Sequence, residues 1–222
     1  MKQLFPGGLL VAVEGIDGAG KTSVAALLAQ YCGERGIACV LSKEPTSLKW
    51  GRELRRSAST GRLTLEDELE LFRKDRAMHV AGTIRPAMQQ GHVVVVDRYY
   101  WSTAAYQGAR GADPAAIIVE HESFAPRPDC FLLLDVAVDL GLERIRRRGD
   151  QPNDFEKKDS LEKARAIFLD LAARSPGHSF TVDAGTTARD VSRACISKFQ
   201  ALAEAKLGAD SEAMAVFLET AE

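Results

Sequence analysis

The run Gly15-Ile16-Asp17-Gly18-Ala19-Gly20-Lys21-Thr22 has the spacing G-x-x-x-x-G-K-[ST]. Glycines in such a run let backbone N–H groups turn inward around a phosphate without Cβ clashes. A helix opening at its end adds a fixed positive dipole end. Lys21 at the seventh position reaches β- and γ-phosphate oxygens, and the Thr22 hydroxyl is a ligand for Mg²⁺. All eight residues are therefore expected to bind ATP or GTP. The flanks support this over an unliganded Gly-rich turn, because an apolar strand pattern precedes the run and a helical pattern follows it.

A second group with chemistry is Asp97-Arg98-Tyr99, directly after the apolar run Val93 to Val96. At the carboxyl end of a strand in an open parallel sheet, such residues face the ligand crevice. Asp97 there holds Mg²⁺ directly or through water, and Arg98 forks onto a phosphate. A third group, Lys43-Glu44-Pro45-Thr46, ends another apolar run, with proline fixing a sharp exit. A fourth is Phe72 and Arg76, neighbours on a helix face shared with Leu65 and Leu69. An aromatic ring beside a guanidinium suits a nucleobase. Periodicity alone favours a core phenylalanine with a snorkelling arginine.

The elements that must position these groups alternate. Leu9 to Val13, Ala38 to Leu41, Val93 to Val96, Phe131 to Leu134 and, more weakly, Phe180 to Val182 read as strands covered on both faces. Helical patterns span Thr22 to Arg35, Thr64 to about Gln90, a segment opened by Asp113-Pro114, Asp139 to Arg148, Ser160 to Arg174, and Thr187 to about Leu207. This order predicts an α/β three-layer sandwich, a five-stranded parallel sheet flanked by helices. Residues 1–207 are expected to form one domain, with a short polar lid at about 149–159. Residues 208–222 read as a dispensable acidic tail.

Of the 222 residues 45% are hydrophobic, enough for a sizeable core. A net charge of −2 gives no bulk attraction to nucleic acid or anionic membrane, so any polyanion site is local. No apolar run has transmembrane length, and Met1 to Gly8, with one Lys before a short apolar run that ends at Glu14, does not read as a signal peptide. Cys32, Cys39, Cys130 and Cys195 are scattered, which suits core residues in a reducing cytoplasm. No Asp-x-x-Gly downstream of the phosphate run and no Asn-Lys-x-Asp argue against a GTPase.

With Glu44-Pro45, Phe72-Arg73-Lys74-Asp75-Arg76, Asp97-Arg98-Tyr99 and Ser102-Thr103-Ala104-Ala105-Tyr106-Gln107-Gly108 beside Gly15 to Thr22, the chain resembles thymidylate kinases, from roughly Leu9 to Leu207. The resemblance implies Mg·ATP-dependent phosphorylation of dTMP by a cytosolic homodimer. It implies that Phe72 stacks on thymine, that Arg76 bonds a thymine carbonyl, and that Arg98 binds the acceptor phosphate. Ser102, Tyr106 and Gln107 would line the base and sugar pocket. Asp17 would approach the acceptor's sugar and phosphate, and Glu44 would stand among the acceptor-binding residues.

Three departures from the family pattern stand out. Lys43 replaces the arginine usual before Glu-Pro, Gly18 stands where some members carry a P-loop arginine, and the lid reads Asn153-Asp154-Phe155-Glu156 without its arginine. Arg144, Arg147, Arg148, Lys157 and Lys158 flank the lid, and Arg148 is the preferred substitute for a catalytic lid cation. Alternative readings are a kinase for another pyrimidine nucleotide or nucleoside, and a non-catalytic ATP-binding switch.

Overall fold

The computed structural model describes residues 4–149 and 158–208. Five strands, β1 (Leu9–Glu14), β2 (Cys39–Lys43), β3 (Val93–Asp97), β4 (Cys130–Asp135) and β5 (Ser179–Asp183), form one sheet in the order β2-β3-β1-β4-β5. Every pairing is parallel. Each strand runs one or two residues past the carboxyl end of its sequence-read run, onto Glu14, Lys43, Asp97, Asp135 and Asp183, and β2 begins one residue later than read. β1 and β3 are buried along their whole length, which is why they read as unbroken apolar runs. The edge strands β2 and β5 are only partly covered. Register places Asp97 beside both Val13 and Lys43, so the chemistry-bearing tips of β1, β2 and β3 lie in one row.

Among the described residues the helices are α1 (Lys21–Glu34), α2 (Lys49–Thr60), α3 (Leu65–His79), α4 (Arg85–Gln89), α5 (Tyr100–Gly108), α6 (Pro114–Glu122), α7 (Val138–Arg147), α8 (Lys158–Ala173) and α9 (Ala188–Leu207). α1 rests on β1, β2 and β3 and against α9, whereas α8 rests on β4 and against α5 and α7. Among the described residues side chains cap three helices, two of them at Thr64 and Asp113 as the sequence signals there imply. Thr64, Asp113 and Thr187 accept hydrogen bonds from the backbone N–H groups of Asp67, Ala115 and Asp190, contacts worth about 1 kcal/mol each.

The stretch predicted as one helix from Thr64 to Gln90 is helical throughout but contains a π turn, Val80–Ile84, between α3 and α4. Helices α2 and α5 were not expected. The aromatic core includes Trp101 stacked on Phe131 at 4.0 Å, and Tyr31 edge-on to Phe199. All four cysteines are free thiols. Among the described residues no helix is long and apolar enough to cross a membrane. Most of the expected lid and the tail after Gly208 lie outside the described residues.

Candidate active site

Helix α1 begins at Lys21 with Gly20 as its cap, no capping side chain and no acid in its first turn. Its first N–H groups are thus left to an anion. The loop before it cannot carry side chains at two points. Gly15 (φ 138°) packs on the Leu134 carbonyl at the end of β4, and Gly18 (φ 80°) packs on the Gly141 carbonyl of α7. A Cβ at either would collide with backbone.

Lys21 donates from Nζ to the Ile16 carbonyl at 2.7 Å and lies 3.9 Å from Asp17 Oδ1. Arg98 pairs through Nη2 with the same Oδ1, and the Tyr106 hydroxyl donates to Asp17 Oδ2 at 2.8 Å. Arg98 has φ 71°, a left-handed conformation that is strained for a non-glycine residue and typical of functional sites. It turns the guanidinium from the tip of β3 into the mouth that holds Lys21.

The electrostatics follow from this crowding. Burial and the neighbouring Arg98 charge push the Lys21 ammonium down to about 7, against Asp17, Asp97 and Glu14. Burial alone would raise the Asp17 carboxyl, but Arg98, Lys21 and the Tyr106 hydroxyl hold it at about 2. Burial disfavours the Arg98 charge, yet Asp17 and Tyr106 outweigh that and raise it. The mouth thus concentrates cations, and a polyphosphate is their natural counter-ion.

Beside it lies a cavity of about 300 Å³ whose lining includes Asp17, Glu44, Phe72, Arg76, Arg98, Ser102 and Tyr106. Here the periodicity-based reading of the helix pair is reversed. Phe72 is only partly covered and faces the cavity, and Arg76 is the fully buried member at 1% exposure. The reason is a set of partners remote in sequence. Arg76 donates from Nε and Nη2 to Glu44 Oε2 at 2.9 and 2.6 Å, from Nη2 to Thr103 Oγ1 at 3.1 Å, and from Nη1 to the His121 ring. Burial, Arg76 and Arg73 push His121 down to about 2, so a neutral ring accepts that bond. Asp75 fixes the adjoining turn by accepting from the Thr46 N–H at 2.8 Å and the Thr46 hydroxyl at 2.6 Å.

Not every expected residue reaches the cavity in the same way. Both carboxylate oxygens of Glu44 are taken, by Arg76 and by His79, so it stands behind the arginine. Ser102 lines the cavity but donates to Glu14 Oε2 at 2.5 Å. Gln107 is fully buried, its amide held by Glu68 and Arg110, and it does not line the cavity. Arg148 is exposed at the end of α7, beside the segment 150–157 that lies outside the described residues. The sequence motifs assign no role to Arg55, His79 and His121, and none to Thr103 although it stands in the Ser102-to-Gly108 string. Arg55 sits on α2, which was not read as a helix, and lines this cavity while donating to the Pro45 and Thr46 carbonyls.

Thr22 Oγ1 donates to Asp97 Oδ2 at 2.6 Å, and Lys43 Nζ lies 3.4 Å from the same oxygen. The other oxygen, Asp97 Oδ1, is buried with no hydrogen-bond partner among the described residues. A buried carboxylate oxygen without a donor, next to a hydroxyl, suits a hard cation. Among the described residues no cluster of three acidic, His or Cys ligands exists. A metal here would therefore complete its shell from phosphate and water, as Mg²⁺ does.

Glu14, the last residue of β1, supports the loop from below. Its Oε1 accepts from the Tyr99 and Ser102 N–H groups at 2.9 and 3.2 Å. Burial nevertheless pushes its carboxyl up to about 7. The folded protein holds this proton where the unfolded chain, near 4.5, has released it. Glu14 therefore contributes stability that is complete below about pH 4.5 and is lost as pH rises through about 7. Glu14→Gln keeps the Oε1 acceptor and offers N–H to Ser102 Oγ. Its stability relative to the parent should rise across that window by up to about 3 kcal/mol. Urea denaturation at pH 4.5, 6 and 8 would check this, and an unchanging difference would refute it.

A lysine-bearing phosphate loop after β1, a carboxylate and an arginine at the tip of β3, and an adjoining cavity with a buried arginine define a P-loop phosphotransferase with an acceptor pocket. Comparison with known proteins narrows this. The thymidylate kinase family profile matches residues 13–195. The chain is 51% identical over 191 residues to a thymidylate kinase of Xanthomonas campestris pv. campestris (strain B100), covering 86% of this chain and 82% of that one. It is 52% identical over 193 residues to one of Xanthomonas euvesicatoria pv. vesicatoria (strain 85-10), covering 86% and 83%. It is 45% identical over 207 residues to one of Xylella fastidiosa (strain M12), covering 93% and 94%. The chain belongs to the thymidylate kinase family.

Proposed function

We propose that this protein transfers the γ-phosphoryl group of ATP to dTMP, giving dTDP and ADP. The observation that carries the reading is that Arg98 and Lys21 converge on Asp17 at one mouth, next to a cavity holding Phe72 and Arg76. Two polyanions meet there only if their repulsion is cancelled. Lys21 and the α1 N-terminus take the donor phosphates, and Arg98 takes the acceptor phosphate. The acceptor oxygen is already ionised, so no general base is needed, and positioning dominates. Phe72 offers a face for the base and Arg76 a remaining Nη1 hydrogen for its carbonyl. Tyr106, fixed by Asp17, closes the sugar side, where Ser102 also lies.

Thr22 and Asp97 would hold Mg²⁺, which when bound neutralises charge on the transferred group. Arg148, at the end of α7 and next to the expected lid that lies outside the described residues, would supply a further cation to the transferred group. A homodimer in the cytoplasm accords with the family and with four free thiols.

A panel of dTMP, dUMP, dCMP, dGMP, AMP and thymidine with Mg·ATP, read by ADP release, tests the reading. Turnover of dTMP should exceed that of dCMP by at least about 100-fold in kcat/KM. Preference for another acceptor would replace dTMP in the assignment, and turnover of none would leave an ATP-binding switch.

A further inference from the structure

Behind Arg76 a chain of hydrogen bonds crosses from one cavity wall to another. Ser42 Oγ on β2 lies 2.6 Å from His79 Nε2, at the end of α3. His79 Nδ1 lies 2.8 Å from Glu44 Oε1, and Glu44 Oε2 accepts from Arg76. His79, Glu44 and Arg76 are 2%, 3% and 1% exposed. Ser42 and His79 line a second cavity of about 660 Å³, whereas Glu44 and Arg76 line the acceptor cavity.

The geometry assigns each link a task. A carboxylate faces His79 Nδ1, so that nitrogen carries a hydrogen, and Nε2 is left for the Ser42 hydroxyl. Arg76 has five N–H donors. Two go to Glu44 and one to Thr103, and Nη1 lies near both ring nitrogens of His121, of which a neutral ring offers one as acceptor. One Nη1 hydrogen remains for a ligand. Its direction is set by the guanidinium plane, and that plane is set by the carboxylate of Glu44. A carboxylate gripped through Oε2 alone can swing about its stem, and a donor on Oε1 stops the swing.

We infer that His79, oriented by Ser42, is a positioning residue for acceptor recognition, acting through Glu44 on Arg76. This rests on the reading that Arg76 addresses the acceptor base.

The test uses the full chain and steady-state kinetics with dTMP, dCMP and ATP. In His79→Asn the amide nitrogen can occupy the Nδ1 position and keep the bond to Glu44. In His79→Gln it occupies the Nε2 position and that bond is lost. His79→Gln should raise KM for dTMP about tenfold, with kcat and the KM for ATP within about threefold of the parent. His79→Asn should restore most of the dTMP affinity, and Ser42→Ala should give a smaller rise than His79→Gln. Arg76→Lys is the control for the underlying reading and should itself raise KM for dTMP. Parental KM for dTMP in both His79 variants, with melting temperature alone lowered, would overturn the inference and leave His79 a packing residue. An unchanged KM in Arg76→Lys would instead overturn the assignment of Arg76 to the base.

Discussion

Arg98→Ala should lower kcat for phosphoryl transfer by about a thousandfold and leave ATP affinity within about threefold of the parent. The size follows from removing a fixed charge aimed at a transferring phosphoryl group in a water-poor site. The selectivity follows from where Arg98 stands. It comes from the tip of β3, and its partners are Asp17 and Tyr106, which also border the acceptor cavity. The donor side keeps Lys21, Thr22 and the open N-terminus of α1. Initial-rate kinetics give the first quantity, and calorimetric titration with ATP alone gives the second. A parallel loss of ATP binding would move Arg98 to the donor site and leave the acceptor phosphate without its assigned partner.

Arg76→Met should destabilise the fold by about 3–5 kcal/mol, because it strands the buried charge of Glu44. For a chain of this size that is a fall of roughly 10 °C in melting temperature. The loss includes the bonds to Thr103 and His121. The cost lies in the orphaned carboxylate rather than in the pair itself, so Arg76→Met combined with Glu44→Gln should recover about half of it. Thermal and urea melts of the three proteins decide the matter. A change below about 1 kcal/mol in the single variant would mean that water or a rotated His79 neutralises Glu44 without cost.

Much of this architecture is legible in the amino-acid order because burial writes itself into composition. The five strands show as apolar runs, since β1 and β3 have no exposed face to mark with polar residues. The phosphate loop shows because only glycine fits against the carbonyls of Leu134 and Gly141. Helix α5 escaped notice for the opposite reason. Tyr100 to Gln107 are all buried, so it has no polar face to set the period. Helix α2 lacks a capping side chain at Leu48 and buries little besides Gly51, Leu54 and Ser57. The inverted burial of Phe72 and Arg76 was unreadable because spacing reports which face a residue occupies, not what waits there. Glu44 arrives from the turn after β2, Thr103 from α5 and His121 from α6. The Ser42–His79–Glu44 chain is likewise a product of tertiary contact, with no local spacing to announce it.

The π turn at Val80–Ile84 lets one rod serve two masters. Upstream of it the inward positions are Glu68, Asp75, Arg76 and His79, all ionisable, whereas Val80 and Ile84, which bound the turn, and Ala87 beyond it are aliphatic. An ideal helix advances about 100° per residue, so an inserted residue resets the angular phase between the two halves. The ionisable stripe can then be aimed at Glu44 and Thr46 while the aliphatic stripe keeps its own bearing. Excising one residue from 80–84 would lock the halves back into a common phase. Arg76 and Asp75 would then turn by about a quarter of a revolution relative to the aliphatic half, and specificity and foldedness would compete for the same rotation.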